Sequence, residues 1–349
     1  MAGKRRGERS LIFPTRPHVV SAGSVAAQNE AAGPLGSLFD MVLEDDTWGE
    51  NSFEKAERKM FESAVRIALD KAKLRSGSLH CLLGGDLLNQ IVSANFAARQ
   101  LNVPFLGLYG ACSTIAESLL IGSVLVDGGY ADTVACAASS HFSTAERQYR
   151  FPLELGTTVP PTAQRTVTGA GCALLSGKGP MEGAPFRNIV VTGATIGRVV
   201  DLGISDASNM GAAMAPAAAD TILSHFGDME ETPDDYDLVI TGDLGRFGSS
   251  MLLSLLNDHG VDLTKKHLDC GNLVFSTKQK FNSGGSGCGC PAITLAAHLL
   301  GKVEIGEVKR MLFLATGALL SPLSSMQGDT IPGIAHALVL EMNREAMGL

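Results

Sequence analysis

The sequence predicts an α/β protein built as a duplicated, five-layered αβαβα sandwich. Three observations lead to this fold class: strand-like and helix-like segments alternate along the chain, the alternation occurs twice, and the strands are continuous apolar runs such as Leu238-Val239-Ile240 and Met311-Leu312-Phe313-Leu314. Continuous apolar strands are typical of sheets that helices cover on both faces. Two such sheets that share one helical layer make five layers.

The first half of the chain shows the alternation once. Short apolar runs predict its strands, and longer periodic segments, including the small-residue segment after Cys112, predict its helices. In chain order we predict a strand at 18–26, a helix at 52–74, a strand at 79–84, a helix at 88–102, a strand at 103–109, a helix at 113–126, and strands at 132–138 and 168–176.

The second half repeats this order. We predict a strand at 189–193, a helix at 212–226, a strand at 238–241, helices at 249–260 and 290–300, and strands at 311–316 and 335–341. Glycine and proline cluster at 177–185 between the halves, which predicts domains at 1–182 and 183–349. The stretch 139–165 is long, polar and weakly periodic, so we expect a functional or interfacial loop there.

Composition narrows the class of protein. The 349 residues are 45% hydrophobic and 18% charged, enough to bury a large core. A formal net charge of −8 argues against binding to duplex nucleic acid, which needs a concentrated basic face. Seven cysteines, an odd number without a recognisable secretory leader, fit a reducing cytoplasm. The most apolar stretch, 115–126, is short and contains Glu117, so we expect a soluble protein.

Cys112 lies where an apolar run meets a long helix, in the segment Gly110-Ala111-Cys112-Ser113. The N-terminus of a helix presents free N–H groups and a positive dipole potential, which stabilise a thiolate. This position therefore predicts a cysteine with a lowered pKa. The competing interpretation is an inert buried cysteine, which is the usual state of free cysteine in a core.

A glycine-rich segment, 282–291, leads directly into the predicted helix at 290–300. Its glycines allow the backbone to approach a ligand or the other half closely. Cys288 and Cys290 are spaced too tightly for a zinc knuckle, and neither a second Cys or His pair nor a phosphate-binding motif is present in order. We therefore expect neither a metal site nor a cofactor.

The duplicated βα plan, the segment 110–113 and the turn Gly289-Cys290-Pro291 resemble the thiolase and ketoacyl-synthase superfamily. The resemblance implies a thiolase-like fold in which a nucleophilic cysteine works with His or Asn residues. The turn that reads Gly-His-Pro in a thiolase has Cys290 in place of the histidine in this chain. The end of the second-half strand at which the superfamily carries His or Asn falls at Gly242, with Asp243 beside it. The turn near the C-terminus at which a thiolase carries a further cysteine falls at 315–317, which has no cysteine. The resemblance therefore implies a binding protein rather than an active enzyme.

Within the superfamily the chain resembles a family of sporulation proteins from endospore-forming bacteria, notably at 139–148, 160–165 and 282–291. That resemblance implies binding of dipicolinic acid, or its calcium chelate, for uptake into the developing spore together with integral membrane proteins. It also implies a homodimer formed along a strand of the first half. The expected location is the cytoplasmic side, peripheral to the spore inner membrane.

A flat dianion needs N–H donors and cations, and the candidate ligand-binding residues follow from that need. They are Cys112, Ser113, Asn282, Ser283, Cys290, Asp243, Arg165, Arg147 and Arg150.

Other roles stay open for several of these residues. Asn282 is equally a turn residue, Asp243 a helix cap, and the three arginines a dimer interface. An alternative function is a diverged acyl-thioester transferase or hydrolase that uses Cys112 with a base such as His141. A structural role is the competing interpretation of His141.

Overall fold

A computed structural model describes residues 3–149 and 159–343 of the chain. Its strands are β1 (Arg5–Arg6), β2 (Ser10–Ile12), β3 (His18–Ala26), β4 (Met41–Val42), β5 (Cys81–Gly85), β6 (Phe105–Gly107), β7 (Thr133–Ser140), β8 (Arg165–Thr166), β9 (Gly169–Ser176), β10 (Ile189–Thr195), β11 (Leu238–Thr241), β12 (His267–Asp269), β13 (Gly285–Ser286), β14 (Arg310–Ala318) and β15 (Gly333–Met342).

The α-helices of the described residues alternate with these strands. They are α1 (Gln28–Ala31), α2 (Phe53–Lys71), α3 (Val92–Leu101), α4 (Thr114–Asp127), α5 (Phe142–Tyr149), α6 (Met210–Met229), α7 (Gly245–Asp258), α8 (Cys270–Val274), α9 (Gly289–Thr294), α10 (Leu300–Glu304) and α11 (Pro322–Met326). A π-helical turn, Leu295–Leu299, joins α9 to α10.

The main strands form two sets of five with the same internal order. The first set runs β3-β9-β7-β5-β6 and the second runs β10-β15-β14-β11-β12. In each set the central strand is parallel to the two strands on its outer side, and the remaining pairings are antiparallel. This repetition confirms the predicted duplication. The two sets meet where β10 pairs with β3 over two residues, Ile189 with Val19 and Val190 with His18.

Helices make the other three layers. α2 and α3 cover the outer face of the first sheet, and α6 and α7 cover the outer face of the second. Between the sheets lie α4, which contacts strands of both halves, and the α9–α10 segment. Apart from Glu117 near its start and Asp127 at its end, α4 carries no charged residue, as expected for a helix that is buried over most of its surface. The αβαβα sandwich predicted from the sequence is therefore confirmed.

The structure departs from the sequence-based expectations in several places. The stretch 139–165 is not one loop, because β7 continues to Ser140 and helix α5 follows at once; residues 150–158 lie outside the described residues. The sequence analysis also missed short elements of the second half, among them β12 and α8. Both are short, with three and five residues, so they carry little hydrophobic periodicity.

The predicted boundary at 182/183 falls between β9, which ends the first set of strands, and β10, which begins the second. The N-terminal residues nevertheless pack on the second half. β2 pairs with β10, and the backbone N–H groups of Glu8 and Arg9 donate to the carboxylate of Asp228, each at 3.0 Å.

Candidate ligand-binding site around Cys112

Cys112 follows a backbone turn that forces one residue into an unusual conformation. Ala111 has a φ of +51°, in the left-handed region that favours glycine. The chain then makes a short 3₁₀ turn, Ala111–Ser113, and enters α4. This turn places Cys112 at the N-terminal end of the buried helix α4. The cysteine itself is buried, with 5% of its surface exposed. The predicted placement at a helix start is confirmed.

A buried carboxylate from the second half lies against this thiol. Asp243 follows strand β11, is fully buried, and accepts a hydrogen bond from the side chain of Cys112. It also accepts from the hydroxyl of Thr316 at 2.7 Å, the hydroxyl of Ser286 at 2.8 Å and the backbone N–H of Gly287 at 3.0 Å. The side chain that meets Cys112 from the end of β11 is thus Asp243, one residue beyond the position that the sequence register placed at Gly242.

The glycine-rich segment closes the site from the second half. The thiol of Cys288 donates to the carbonyl oxygen of Ala111 at 2.9 Å, and the backbone N–H of Gly289 donates to the hydroxyl of Ser140 at 2.9 Å. The thiol of Cys290 donates to the carbonyl oxygen of Gly242 at 3.4 Å. Two cysteines therefore occupy the region in which the superfamily resemblance implies histidine or asparagine, and both donate to backbone carbonyls.

A cavity of about 230 Å³ opens in front of Cys112. It lies at the carboxyl ends of the parallel strands, the edge of an α/β sheet where ligands commonly bind. Its polar lining includes Asn89, Tyr109, Tyr149, Thr166, Ser286 and Ser321, and alanines, leucines and a methionine supply most of the rest. Among the described residues that line it none carries a charge.

Electrostatics keep the thiol of Cys112 protonated. Burial raises its pKa well above the ordinary value, and the negative charge of Asp243 and the neighbouring Cys288 raise it further. The N–H of Gly287 acts in the opposite direction and is outweighed. The expectation of a lowered thiol pKa is therefore wrong, because it considered the helix dipole alone, whereas desolvation and a buried carboxylate dominate.

The other predicted ligand residues near Cys112 and in the glycine-rich segment do not line this cavity. The Ser113 hydroxyl donates to the carbonyl oxygen of Gly110 at 2.6 Å, and the Ser283 hydroxyl accepts from the N–H of Phe247 at 3.1 Å. Asn282 is exposed, and its amide donates to the carbonyl oxygen of Pro160 at 2.9 Å. Hydrogen bonds to backbone groups thus occupy the two serines and Asn282.

Two of the three predicted arginines, Arg147 and Arg165, are absent from the cavity lining. Arg165 stacks on the rings of Phe142 and Phe281, with its guanidinium carbon 3.8 Å and 4.8 Å from the two ring centres. Arg147 pairs with Glu54. Arg150 lies outside the described residues.

His141 has no ring nitrogen free to accept a proton. Its Nδ1 accepts from the N–H of Ser143 at 3.1 Å, so the proton resides on Nε2, which donates to the carbonyl oxygen of Asp46 at 2.7 Å. Burial lowers its pKa. His141 is also absent from the cavity lining. These contacts are those of a structural histidine.

Sequence reasoning did not single out Tyr109 and Tyr149, which line the cavity, or Thr316, which holds Asp243. Tyr109 belonged to the apolar run before Cys112, and Tyr149 to the stretch interpreted as a loop. The hydroxyls of both tyrosines are directed at the carbonyl oxygen of Leu87. The one available signal was that Tyr109 comes shortly before the nucleophile position.

Solved structures define the class of protein. The 3-oxoacyl-[acyl-carrier-protein] synthase III of Aquifex aeolicus VF5 superposes with a TM-score of 0.57 at 15% identity, covering 93% of this chain and 99% of that one. Human mitochondrial 3-ketoacyl-CoA thiolase gives 0.58 at 14% identity, covering 98% and 100%. A variant of Xanthomonas campestris OleA gives 0.61 at 13% identity, covering 95% and 97%. The chain is thus a thiolase-fold protein.

Sequence comparison identifies the family within that class. A family model described as Stage V sporulation protein AD matches residues 7–341. The Stage V sporulation protein AD of Bacillus subtilis (strain 168) is 46% identical over 338 residues, which are 97% of this chain and 98% of that protein. The chain therefore belongs to the Stage V sporulation protein AD family and is a sporulation protein.

No helix within the described residues has the length and apolar character needed to cross a bilayer. In the same part of the chain, no group of three or more His, Cys, Asp or Glu side chains is placed to hold a metal ion.

Proposed function

We propose that this chain is a non-catalytic thiolase-fold protein that binds dipicolinic acid, or its calcium chelate, in the cavity in front of Cys112. The observation that carries the proposal is the combination of an open, largely apolar cavity with a protonated, buried thiol at its base. The cavity suits a flat aromatic acid, which apolar walls and a few placed hydroxyl groups can hold. The thiol is not prepared for nucleophilic attack.

The charge of the cavity favours one form of the ligand. No charged residue lines it among those described, and the carboxylate of Asp243 lies just behind Cys112. A free dianion would therefore meet no compensating cation there. In the chelate, calcium cancels the two carboxylate charges. The tyrosine, serine and threonine hydroxyls of the lining would then contact a neutral molecule.

The proposed role in the cell is uptake into the developing spore. The protein would act at the cytoplasmic side of the spore inner membrane, held there by integral membrane proteins of the stage V sporulation A complex. Membership of a sporulation-protein family supports the cellular setting. The absence of a membrane-spanning helix in the described residues agrees with peripheral attachment through partners.

We also propose that the protein is a homodimer joined along β6. This strand is the outer strand of the first sheet and pairs only with β5 among the described strands. Leu106 on β6 is 48% exposed and Tyr109 just after it is 50% exposed. An unpaired strand edge with exposed apolar side chains is stabilised when a second copy covers it. Because Tyr109 also lines the cavity, a partner copy would lie beside the ligand.

Isothermal titration of the purified protein with dipicolinate, with and without calcium, tests the ligand. Two variants make a matched pair. Cys112→Ala removes a thiol that lines the cavity, whereas Cys172→Ala removes a thiol that is equally buried, in β9, outside it. We expect saturable binding that Cys112→Ala weakens and Cys172→Ala leaves unchanged, with thermal melting used to confirm that both variants fold.

Acetyl coenzyme A is the second ligand to titrate. Clear binding or turnover of the thioester, together with no heat from dipicolinate, would overturn the proposal and favour the acyl-transfer alternative. Equal dipicolinate binding by both cysteine variants would move the ligand away from this cavity.

A further inference from the structure

A second groove lies on the outer face of the first half, between helices α2 and α3. It has a volume of about 400 Å³ and shares no lining residue with the cavity at Cys112. Its lining is rich in cations: Lys55, Arg58, Lys59 and Arg99 surround it, with Phe96 at its edge. Such a concentration of positive charge stands out in a chain whose formal net charge is −8.

Two guanidinium groups share one aromatic ring in this groove. The guanidinium carbon of Arg58 is 4.8 Å from the centre of the Phe96 ring, and that of Arg99 is 4.6 Å from the same centre. The two like charges are therefore no more than about 10 Å apart. The ring stabilises each cation weakly, but their mutual repulsion remains unless an anion is present.

The acidic residues of the groove leave most of its cations without an ion pair. Glu50 pairs with Lys59 at 3.8 Å, and Glu62 pairs with Arg66 at 2.8 Å. Within the described part of the chain this leaves Lys55, Arg58 and Arg99 without an ion pair. An ordinary solvated helix face would pair most cations with acids one helical turn away. These three cations depart from that pattern and converge on one groove.

We propose that this groove binds the phosphate group of an anionic ligand. Arginine presents planar N–H pairs that match phosphate oxygens, and two arginines with a nearby lysine can hold several oxygens of one phosphate. The Phe96 ring is already covered by guanidinium groups, so it is not free to stack on a nucleobase. The site therefore recognises the phosphate itself rather than an attached base.

Phosphate of this kind has two sources, the headgroup of an anionic phospholipid and a free phosphate. Co-sedimentation with vesicles tests the first, by comparing phosphatidylcholine alone with phosphatidylcholine containing one quarter phosphatidylglycerol. Isothermal titration with inorganic phosphate, in a buffer without other multivalent anions, tests the second. Because the whole chain is acidic, adsorption to an anionic vesicle requires a local basic site.

The variants are Arg58→Gln with Arg99→Gln, and Lys55→Gln alone. Lys55 is exposed and has no ion pair among the described residues, so its loss should not affect folding. The control is Lys265→Gln with Lys278→Gln, which removes two exposed cations from the second half. We expect a loss of affinity of about fivefold for the single variant and more than tenfold for the double variant. The control should bind like the unmodified protein.

The outcomes separate clearly. Binding to phosphatidylglycerol vesicles that the double variant loses supports the site with a lipid headgroup as the source. Binding of inorganic phosphate that the double variant loses, without vesicle binding, supports it with a free phosphate as the source. If neither probe binds, or if the double variant binds as well as the control, the proposal is overturned.

Discussion

The thiol of Cys288 donates a 2.9 Å hydrogen bond to the carbonyl oxygen of Ala111, and this bond joins the glycine-rich segment of the second half to the residue before Cys112. Ala111 has a left-handed φ of +51°. A non-glycine residue in that region costs of the order of 1 kcal/mol and persists only where its surroundings hold it. The position of Cys112 therefore depends on contacts from both halves of the chain.

Gly317 permits this close approach. A Cβ at Gly317 would lie 2.7 Å from the carbonyl oxygen of Gly110 and 3.2 Å from the N–H nitrogen of Ser113, both backbone atoms. Gly317→Ala should therefore destabilise the protein by about 2 kcal/mol, measured by chemical denaturation. Gly301→Ala is the control, because a Cβ there meets no atom within 4 Å and α10 should gain ~0.5 kcal/mol. Equal effects of the two substitutions would contradict the crowding at Gly317.

The reactivity of Cys112 should be low and should depend on Asp243. Burial and the Asp243 carboxylate raise the pKa of Cys112, so alkylation by iodoacetamide at pH 8, followed by peptide mass spectrometry, should be slow. Asp243→Asn removes the negative charge and should speed alkylation about tenfold for each unit by which the thiol pKa falls.

Asp262→Asn is the control for that experiment, because Asp262 is exposed and is not a cause of the raised Cys112 pKa. Rapid alkylation of Cys112 in the unmodified protein at pH 7 would contradict the protonated thiol. It would also reopen the acyl-transfer alternative.

Glu30 should make stability depend on pH. Its side chain is buried, one carboxylate oxygen accepts from the N–H of Thr168 at 3.0 Å, and the other has no hydrogen-bond partner among the described residues. Burial raises its pKa to about 7. Because the folded-state pKa lies above the unfolded value, the stabilising contribution is complete below about pH 4.5 and is lost as the pH rises to about 7.

Denaturation of the unmodified protein and of Glu30→Gln between pH 4.5 and pH 8 tests this dependence. The unmodified protein should lose up to about 3 kcal/mol relative to the variant over that range. Glu44→Gln, at an exposed position, is the control and should show no such divergence. Parallel curves for Glu30→Gln and the unmodified protein would show that Glu30 is ionised without penalty.

The two outer strands allow a matched test of the proposed dimer. Leu106 on β6 is 48% exposed, and Leu268 on β12, the corresponding strand of the second half, is 45% exposed. Leu106→Lys should convert the dimer to a monomer in sedimentation velocity, because a buried unpaired charge at an interface is costly. Leu268→Lys should leave the dimer intact. A dimer that survives Leu106→Lys would place the interface elsewhere.

Much of the fold was predictable because it rests on local pattern. The strands His18–Ala26 and Leu238–Thr241 have the bounds that their apolar runs predicted, and α4 begins two residues after Cys112. Helix α5 was missed because Phe142–Tyr149 is mostly polar and packs only part of its surface. The predicted ligand residues Ser113, Asn282 and Ser283 are held by backbone contacts that residue type alone does not indicate.

The sequence by itself determined the duplicated alternation of strands and helices and the place of Cys112 at the start of a buried helix, because both follow from hydrophobic runs along a local segment. Only the tertiary structure decided the state of the site. Asp243 and Cys288 are distant from Cys112 in the chain, and they reach it only when the two halves pack together. Desolvation and the buried charge of Asp243 then outweigh the helix N-terminus and keep the thiol protonated.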